Sequence, residues 1–97
     1  MRVEMTEVYR DWIDALRDRL TRARILVRVD RLVHGSPGQH RTLTDGVCEL
    51  KVDVGPGYRV YYTERAGVLV VLLAGGAKST QQSDIRTAIA LAKGLKE

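Results

Sequence analysis

The chain has 97 residues, a formal net charge of +4, 44% hydrophobic residues and one cysteine. This length suits one domain, and the composition excludes a disordered chain. No apolar run approaches the roughly 18 residues of a membrane span, no signal peptide is visible, and one cysteine excludes an internal disulfide. We therefore predict a single cytoplasmic domain over residues 1–97 without membrane association. The basic balance favours an anionic partner, either nucleic acid or an acidic protein.

The first 18 residues predict a short strand followed by an amphipathic helix. Residues 3–5 are candidates for the strand, and Thr6 is a suitable N-cap for the helix. The predicted apolar stripe of this helix has a spacing of four residues, with two further apolar residues beside it. These residues are Val8, Trp12 and Leu16, with Tyr9 and Ile13 beside them. We predict that the chain leaves the helical conformation at Asp18 and Arg19, before the next helix.

A second helix is predicted from about residue 21 to residue 34, because a Gly-Ser-Pro-Gly segment at residues 35–38 ends it. Arg24, Arg28 and Arg31 share one face of this helix at i, i+4 and i+7. This stripe is either a solvated helix face or a surface that contacts RNA phosphates or a protein partner. The two histidines that flank the following loop lack further metal-like residues at useful spacing, so no metal site is predicted.

The central stretch, residues 46–76, predicts three consecutive antiparallel strands. Residues 47–54 and 58–63 alternate between apolar and polar positions, and the Gly-Pro-Gly sequence between them predicts a tight turn. Residues 68–74 are apolar throughout, which is typical of a central strand covered on both faces. The alternation predicts one apolar face and one open face, and the open face carries Lys51, Arg59 and Tyr61.

The C-terminal part predicts a helix that begins near a capping box formed by Ser79 and Gln82. The predicted fold class is α+β: a small antiparallel β-sheet with two N-terminal helices packed on one face and a C-terminal helix. Residues 41–43 are a candidate edge strand. We expect one shared core of Trp12, Leu16, Val29, Leu50, Val52, Leu72 and Ile89.

No nucleotide-binding loop, catalytic triad or carboxylate pair is recognisable, but Lys51, Arg59 and Lys78 can converge on the open side of the sheet. Three such cations can hold a phosphodiester and stabilise the extra negative charge of its transition state. RNA supplies its own nucleophile, the 2′-hydroxyl, so a ribonuclease mainly needs positioning and charge stabilisation. The alternative is that Arg59 pairs across the hairpin with Asp53 or Glu49.

Two motifs resemble those of a known family. Residues 46–61 read GVCELKVDVGPGYRVY, and residues 72–81 read LLAGGAKSTQ, followed by Asp84 and Ile85. Both resemble the HigB-like addiction module killer toxins, a branch of the RelE/ParE superfamily of type II toxin–antitoxin systems. The resemblance covers nearly the whole chain. It implies a RelE/ParE-like fold, cleavage of translated mRNA in the ribosomal A site without metal or other cofactor, and neutralisation by a cognate antitoxin, often a helix-turn-helix protein.

Carried over by position, Arg59 matches the arginine that contacts the scissile phosphate in this family. Lys51 matches an active-site lysine on a strand, and Lys78 takes the place of a basic residue after the last strand. The catalytic tyrosine near the C-terminus of RelE proteins has no match in this sequence. Tyr61 is the nearest tyrosine without another assigned role, and we assign the catalytic function to it. Glu49 stands where RelE proteins carry another lysine.

Ala77 stands where this branch more often has an aspartate. The change is either natural drift or an inactivating substitution. Two alternatives to a ribosome-dependent ribonuclease therefore stay open. ParE-type members share the fold but poison DNA gyrase by binding, and a degenerate toxin can persist as an inactive antitoxin-binding partner.

Overall fold

The computed structural model describes residues 1–95, which form five strands, three α-helices and one 3₁₀ turn. In chain order they are β1 (Arg2–Met5), α1 (Glu7–Ala15), α2 (Arg19–Val33), β2 (His40–Thr42), β3 (Val47–Val52), β4 (Tyr58–Arg65), β5 (Leu69–Ala77), the 3₁₀ turn (Lys78–Thr80) and α3 (Gln81–Lys93). The α+β class is confirmed. The predicted domain extends to residue 97, and its last two residues lie outside the described range. None of the described helices is long and apolar enough to cross a membrane.

The five strands form one sheet in the order β1-β5-β4-β3-β2. Strands β2 to β5 are antiparallel neighbours, as predicted, but β1 runs parallel to β5, with Val3 opposite Val70. The prediction of an antiparallel sheet was therefore wrong for this strand, and the sheet is mixed. Alternation along a strand specifies its faces but not the direction of its neighbour. The long segment between β1 and β5, which contains α1, α2 and strands β2 to β4, allows the parallel pairing.

Both N-terminal helices begin at side-chain caps. The Thr6 hydroxyl accepts a hydrogen bond from the Tyr9 N–H at 3.1 Å and donates to a carbonyl of β5, which ties the start of α1 to the sheet. The Asp18 carboxylate accepts bonds from the Leu20 N–H and the Thr21 hydroxyl, so α2 begins two residues earlier than predicted. A capped start of this kind stabilises a helix by about 1 kcal/mol.

Helices cover both faces of the sheet, and this corrects the expectation of an open polar face. Helices α1 and α2 pack on one face, over a core of Tyr9, Ile13, Ile25, Val29, Leu32, Leu50, Val52, Val60, Tyr62, Val70 and Leu72. Helix α3 packs on the opposite face, over a second core of Val47, Tyr61, Val71, Leu73, Ala74, Ala88 and Ala92. Polar residues of β3 and β4 on this second face therefore lie beside a helix rather than in open solvent.

The predicted single core divides accordingly. Four of its members lie together in the first core, and Trp12 and Leu16 pack against that core as partly buried residues. Ile89 was misplaced, because it packs against the second core. The buried face of α1 is centred on Tyr9 and Ile13, and Val8 is exposed, so the predicted helix stripe was displaced by one residue.

An irregularity in β5 determines what its last residues contact. The register against β4 shifts between Tyr61 and Tyr62, so that Leu73 and Ala74 both join the second core. After this shift, the side chains of β5 again alternate between the two faces of the sheet, but with the faces exchanged. As a result Gly75 faces the ring of Trp12, and Gly76 faces α3. A side chain at either glycine would collide with these neighbours.

Candidate functional site

A groove of about 370 Å³ lies where the turn between β3 and β4 meets the end of β5. Its lining residues are Lys51, Asp53, Val54, Gly55, Pro56, Gly57, Arg59 and Lys78. The structure therefore places all three cations singled out in the sequence on one groove. Their roles in catalysis stay a prediction.

The sheet register and one backbone contact bring these cations together. Lys51 lies directly opposite Arg59 in the β3–β4 ladder. Lys78 arrives from the far end of β5, and its backbone N–H donates to the Gly57 carbonyl at 3.1 Å. Gly57 has a φ of +89°, a left-handed conformation that glycine adopts without strain. The Gly-Pro-Gly turn thus forms the base of the groove and anchors the third cation.

Arg59 is buried, with 7% of its surface exposed, which corrects the expectation of a freely accessible side chain. Its Nε lies 3.7 Å from Oε1 of Glu49, close enough for an ion pair but too long for a hydrogen bond. Within residues 1–95, neither Nε nor Nη1 of Arg59 finds a hydrogen-bond acceptor. Buried donors without partners are uncommon and unfavourable in folded proteins. Nε and Nη1 of this guanidinium are therefore available to donate hydrogen bonds to an anion.

Glu49 occupies the centre of a polar network that the sequence did not reveal. Its carboxylate accepts hydrogen bonds from Arg41 Nε at 2.9 Å and from Gln81 Nε2 at 2.9 Å. Arg41 belongs to the edge strand β2 and Gln81 to the first turn of α3, so one carboxylate joins both elements to β3. The cross-hairpin alternative for Arg59 is thus partly met, because Glu49 is its counter-charge but accepts its hydrogen bonds from Arg41 and Gln81.

The environment of Glu49 favours its charged form. Burial raises the pKa of this carboxyl, but hydrogen bonds from Arg41 and Gln81, and the charges of Arg41 and Arg59, outweigh burial and leave the pKa below its usual range. The carboxylate is therefore ionised at neutral pH, and it keeps a negative charge beside Arg59.

Tyr61 does not reach the groove. It is fully buried beneath α3, close to the charges of Glu49, Asp84 and Arg59. Burial raises its pKa strongly, and the negative charges of Glu49 and Asp84 add to this effect. A phenol in this position stays protonated at neutral pH and is screened from any substrate in the groove. Tyr61 is therefore close to Arg59 but does not line the groove that Lys51, Arg59 and Lys78 share.

The start of α3 differs from the predicted capping box. Thr80 precedes the helix, and its hydroxyl donates to Oδ2 of Asp84 at 2.6 Å. Gly76 lies under this pair, in a space that a Cβ would fill. Asp84 and Gln81 were not predicted as site residues. Their spacing carries no signal for this arrangement, although Gln81 lies in the second sequence motif.

Arg24, Arg28 and Arg31 of α2 do not act as one exposed stripe. The Arg28 guanidinium donates to the backbone carbonyls of Lys51, Pro37 and Gln39 at 2.6, 2.9 and 3.2 Å. It therefore holds the loop before β2 against β3, whereas Arg24 and Arg31 are exposed. Contact of all three with RNA stays a prediction, and the structure assigns Arg28 a structural role as well.

The fold and the basic groove are consistent with a RelE-like protein, and the comparison with known families specifies the class. A family model described as "Phage derived protein Gp49-like" matches residues 11–97. The chain belongs to this family, whose members are toxins of toxin–antitoxin systems of the RelE/HigB type. Membership of a toxin family implies an antitoxin partner.

The chain is also similar to a protein of Haemophilus influenzae that is described as uncharacterized. The two are 41% identical over 95 residues, which cover 98% of this chain and 96% of the relative. No solved structure matches the chain.

Proposed function

We propose that this chain is the HigB-like toxin of a type II toxin–antitoxin system and that it cleaves mRNA on the ribosome as an endoribonuclease. Family membership supports the toxin class. The observation that carries the ribonuclease proposal is the buried Arg59 guanidinium, which has two donors without acceptors beside a groove that Lys51 and Lys78 also line.

A phosphodiester in this groove would supply the acceptors that Arg59 lacks. Its guanidinium is a planar fork that can donate to two phosphate oxygens at once, a geometry that lysine cannot provide. The partial burial of the site strengthens the interaction, because less water competes for the charge. Lys51 and Lys78 add point charges that favour binding of the RNA backbone.

The reaction would use the substrate's own nucleophile. The ribose 2′-oxygen loses its proton and attacks the adjacent phosphorus, and the bond to the 5′-oxygen of the next nucleotide breaks as that oxygen takes up a proton. The products are a 2′,3′-cyclic phosphate and a 5′-hydroxyl end. The pentacoordinate transition state carries more negative charge on its phosphate oxygens than the ground state, so Arg59 stabilises it preferentially.

The proposal is tested with purified chain, programmed ribosomes and a defined mRNA, with cuts located by primer extension. We expect cuts in phase with the codon in the A site, new 5′ ends that carry a hydroxyl, and no cuts in mRNA without ribosomes. Arg59→Ala is the control for a contaminating nuclease.

Intact mRNA would contradict the ribonuclease proposal. If supercoiling by purified gyrase is then inhibited, the chain acts as a gyrase poison. If gyrase is also unaffected, the chain is an inactive variant that binds its antitoxin.

A further inference from the structure

Helix α2 carries large apolar side chains outside its core-facing side that the described part of the chain does not cover. Its core-facing residues are Thr21, Ile25, Val29 and Leu32. Three large apolar side chains of the same helix are instead exposed: Leu20 to 59%, Leu26 to 48% and Val27 to 49%. A solvated helix face normally carries polar residues. Several exposed apolar residues on one helix indicate an interaction surface.

Val27 of this helix lines a groove of about 430 Å³ that adjoins the groove at Arg59, and Asp53 lines both grooves. Its apolar lining comes from Ala23, Val27 and Val52. Arg24 and Arg31 lie on the same groove, and neither forms an ion pair or side-chain hydrogen bond within the described part of the chain. Arg28 and the carboxylate of Asp53 also line the groove, which therefore combines an apolar surface with three arginines and one acid and has a net positive charge.

The spacing of these residues matches the face of a helix. Arg24 and Arg31 are seven residues apart, which is about 10 Å along a helix axis. Val27 lies between them at i+3, and Leu20 continues the same stripe one turn earlier. A partner helix with apolar residues in the centre and acidic residues about two turns apart would complement both the shape and the charge of this surface.

We infer that the α2 groove docks an acidic amphipathic helix of the cognate antitoxin. This inference rests on the assignment of the chain as a toxin with an antitoxin partner. RNA is a poorer occupant, because the residues that line the groove include no aromatic side chain on which a base could stack. A second copy of the chain is also disfavoured, because a symmetric contact would bring the same arginines together.

The binding test uses the protein encoded next to this chain as the probe. The chain carries Arg59→Ala in all samples, so that toxicity does not limit expression, and calorimetry measures Kd. We expect Arg24→Glu/Arg31→Glu to weaken binding on the order of 100-fold, because two attractions become repulsions. Val27→Asp should weaken binding on the order of tenfold.

Matched controls place the same chemical changes on other exposed positions. Arg10→Glu/Arg86→Glu repeats the charge reversal, and Val68→Asp repeats the apolar-to-acid change. Both should bind within about twofold of the parent. Circular dichroism checks the folding of every variant.

The inference is overturned if the neighbouring protein does not bind the parent, or if both groove variants bind it as tightly as the parent does. If the groove variants bind that protein as tightly as the parent does but bind ribosomes more weakly, Arg24 and Arg31 contact RNA instead. With Arg59 intact, Val27→Asp should still cut mRNA in the presence of the neighbouring protein, whereas the parent is neutralised. A parent that binds but never cuts would end the ribonuclease proposal and leave the docking surface standing.

Discussion

The Arg59 guanidinium lies beside the Glu49 carboxylate without a hydrogen bond to it, at 3.7 Å between Nε and Oε1. Glu49 instead accepts its hydrogen bonds from Arg41 and Gln81. This division gives the buried arginine a counter-charge while its Nε and Nη1 donors stay unoccupied within the described residues. A direct salt bridge would use those donors, and a substrate phosphate would then have to displace a carboxylate.

Removal of the Glu49 carboxylate should destabilise the protein. Glu49→Ala leaves Arg59 buried without a counter-charge and removes the contact that joins α3 to β3, so we expect a loss of about 3 kcal/mol in the free energy of unfolding. Urea unfolding measures this loss. Glu64→Ala, an exposed glutamate on β4, is the matched control and should change stability by less than about 0.5 kcal/mol. Equal effects for the two variants would contradict the role of the network.

Stability should also fall in acid because of Glu49. Its pKa is below the usual range in the folded protein, so the carboxylate stabilises the fold fully above the unfolded value of about 4.3. That contribution is lost as the pH falls through the lower, folded pKa. Asp18, whose pKa is lowered by its hydrogen bond with Thr21, acts in the same range. The difference in unfolding free energy between wild type and Glu49→Gln should therefore shrink below pH 4, whereas a constant difference would contradict the prediction.

Arg59 should be required for cleavage. We expect Arg59→Ala to reduce the rate of A-site cleavage on the order of 10²–10³-fold, by analogy with the loss of one oxyanion donor. Arg59→Lys should lose much of the activity, because lysine lacks the planar fork. Lys51→Ala and Lys78→Ala should show smaller losses. A folded Arg59→Ala variant that cuts at the parental rate would remove Arg59 from the site.

A second measurement on Arg59 does not depend on ribosomes. Inorganic phosphate should stabilise the wild type against urea, by about 1.4 kcal/mol when its concentration is tenfold above Kd. Arg59→Ala should lose this effect. Because Arg59 is buried, Arg59→Ala should change the free energy of unfolding by more than the roughly 0.5 kcal/mol that is usual for a surface substitution.

The contact between Gly75 and Trp12 should tolerate no extra methyl group. A Cβ at Gly75 would overlap the indole ring, which is held between Tyr9 and Tyr58 with ring centroids 5.9 and 6.4 Å away. We expect Gly75→Ala to cost about 2 kcal/mol of unfolding free energy. Gly94→Ala is the control, because its new Cβ would lie 3.6 Å from the Leu91 carbonyl oxygen, an ordinary van der Waals distance. If the loss of stability in the Trp12→Ala/Gly75→Ala double variant equals the sum of the two single-variant losses, a clash with Trp12 does not cause the loss in Gly75→Ala.

The Ala77→Asp variant tests whether the absence of the aspartate affects stability or cleavage. It precedes the 3₁₀ turn in an extended conformation, and its side chain provides no cap. We expect Ala77→Asp to raise the free energy of unfolding by about 0.5–1 kcal/mol, through a new side-chain cap. Cleavage should stay near the parental rate, because Ala77 does not line the groove. A tenfold gain in cleavage would show that Ala77 is an inactivating substitution.

Local patterns in the sequence predicted the elements well. The start of α1 at Thr6 follows from capping chemistry, because a side-chain oxygen can satisfy free N–H groups of the first turn. The alternation along β3 and β4 correctly placed Leu50 and Arg59 on opposite faces of the sheet, since successive side chains of a strand point in opposite directions. The same geometry places Lys51 beside Arg59, whereas Lys78 is held at the groove by its backbone hydrogen bond to Gly57.

The surroundings of those faces could not be predicted in the same way. Alternating charges along β3 look like a solvated face, yet α3 covers that face and supplies Gln81 to Glu49 from 32 residues away. The direction of β1 and the register shift in β5 are likewise properties of strand pairing. Backbone preferences and side-chain direction depend on neighbouring residues, so they are visible in the sequence. The burial of Arg59 and Tyr61 depends on how distant elements pack, and it becomes visible only once α3 is placed on the sheet.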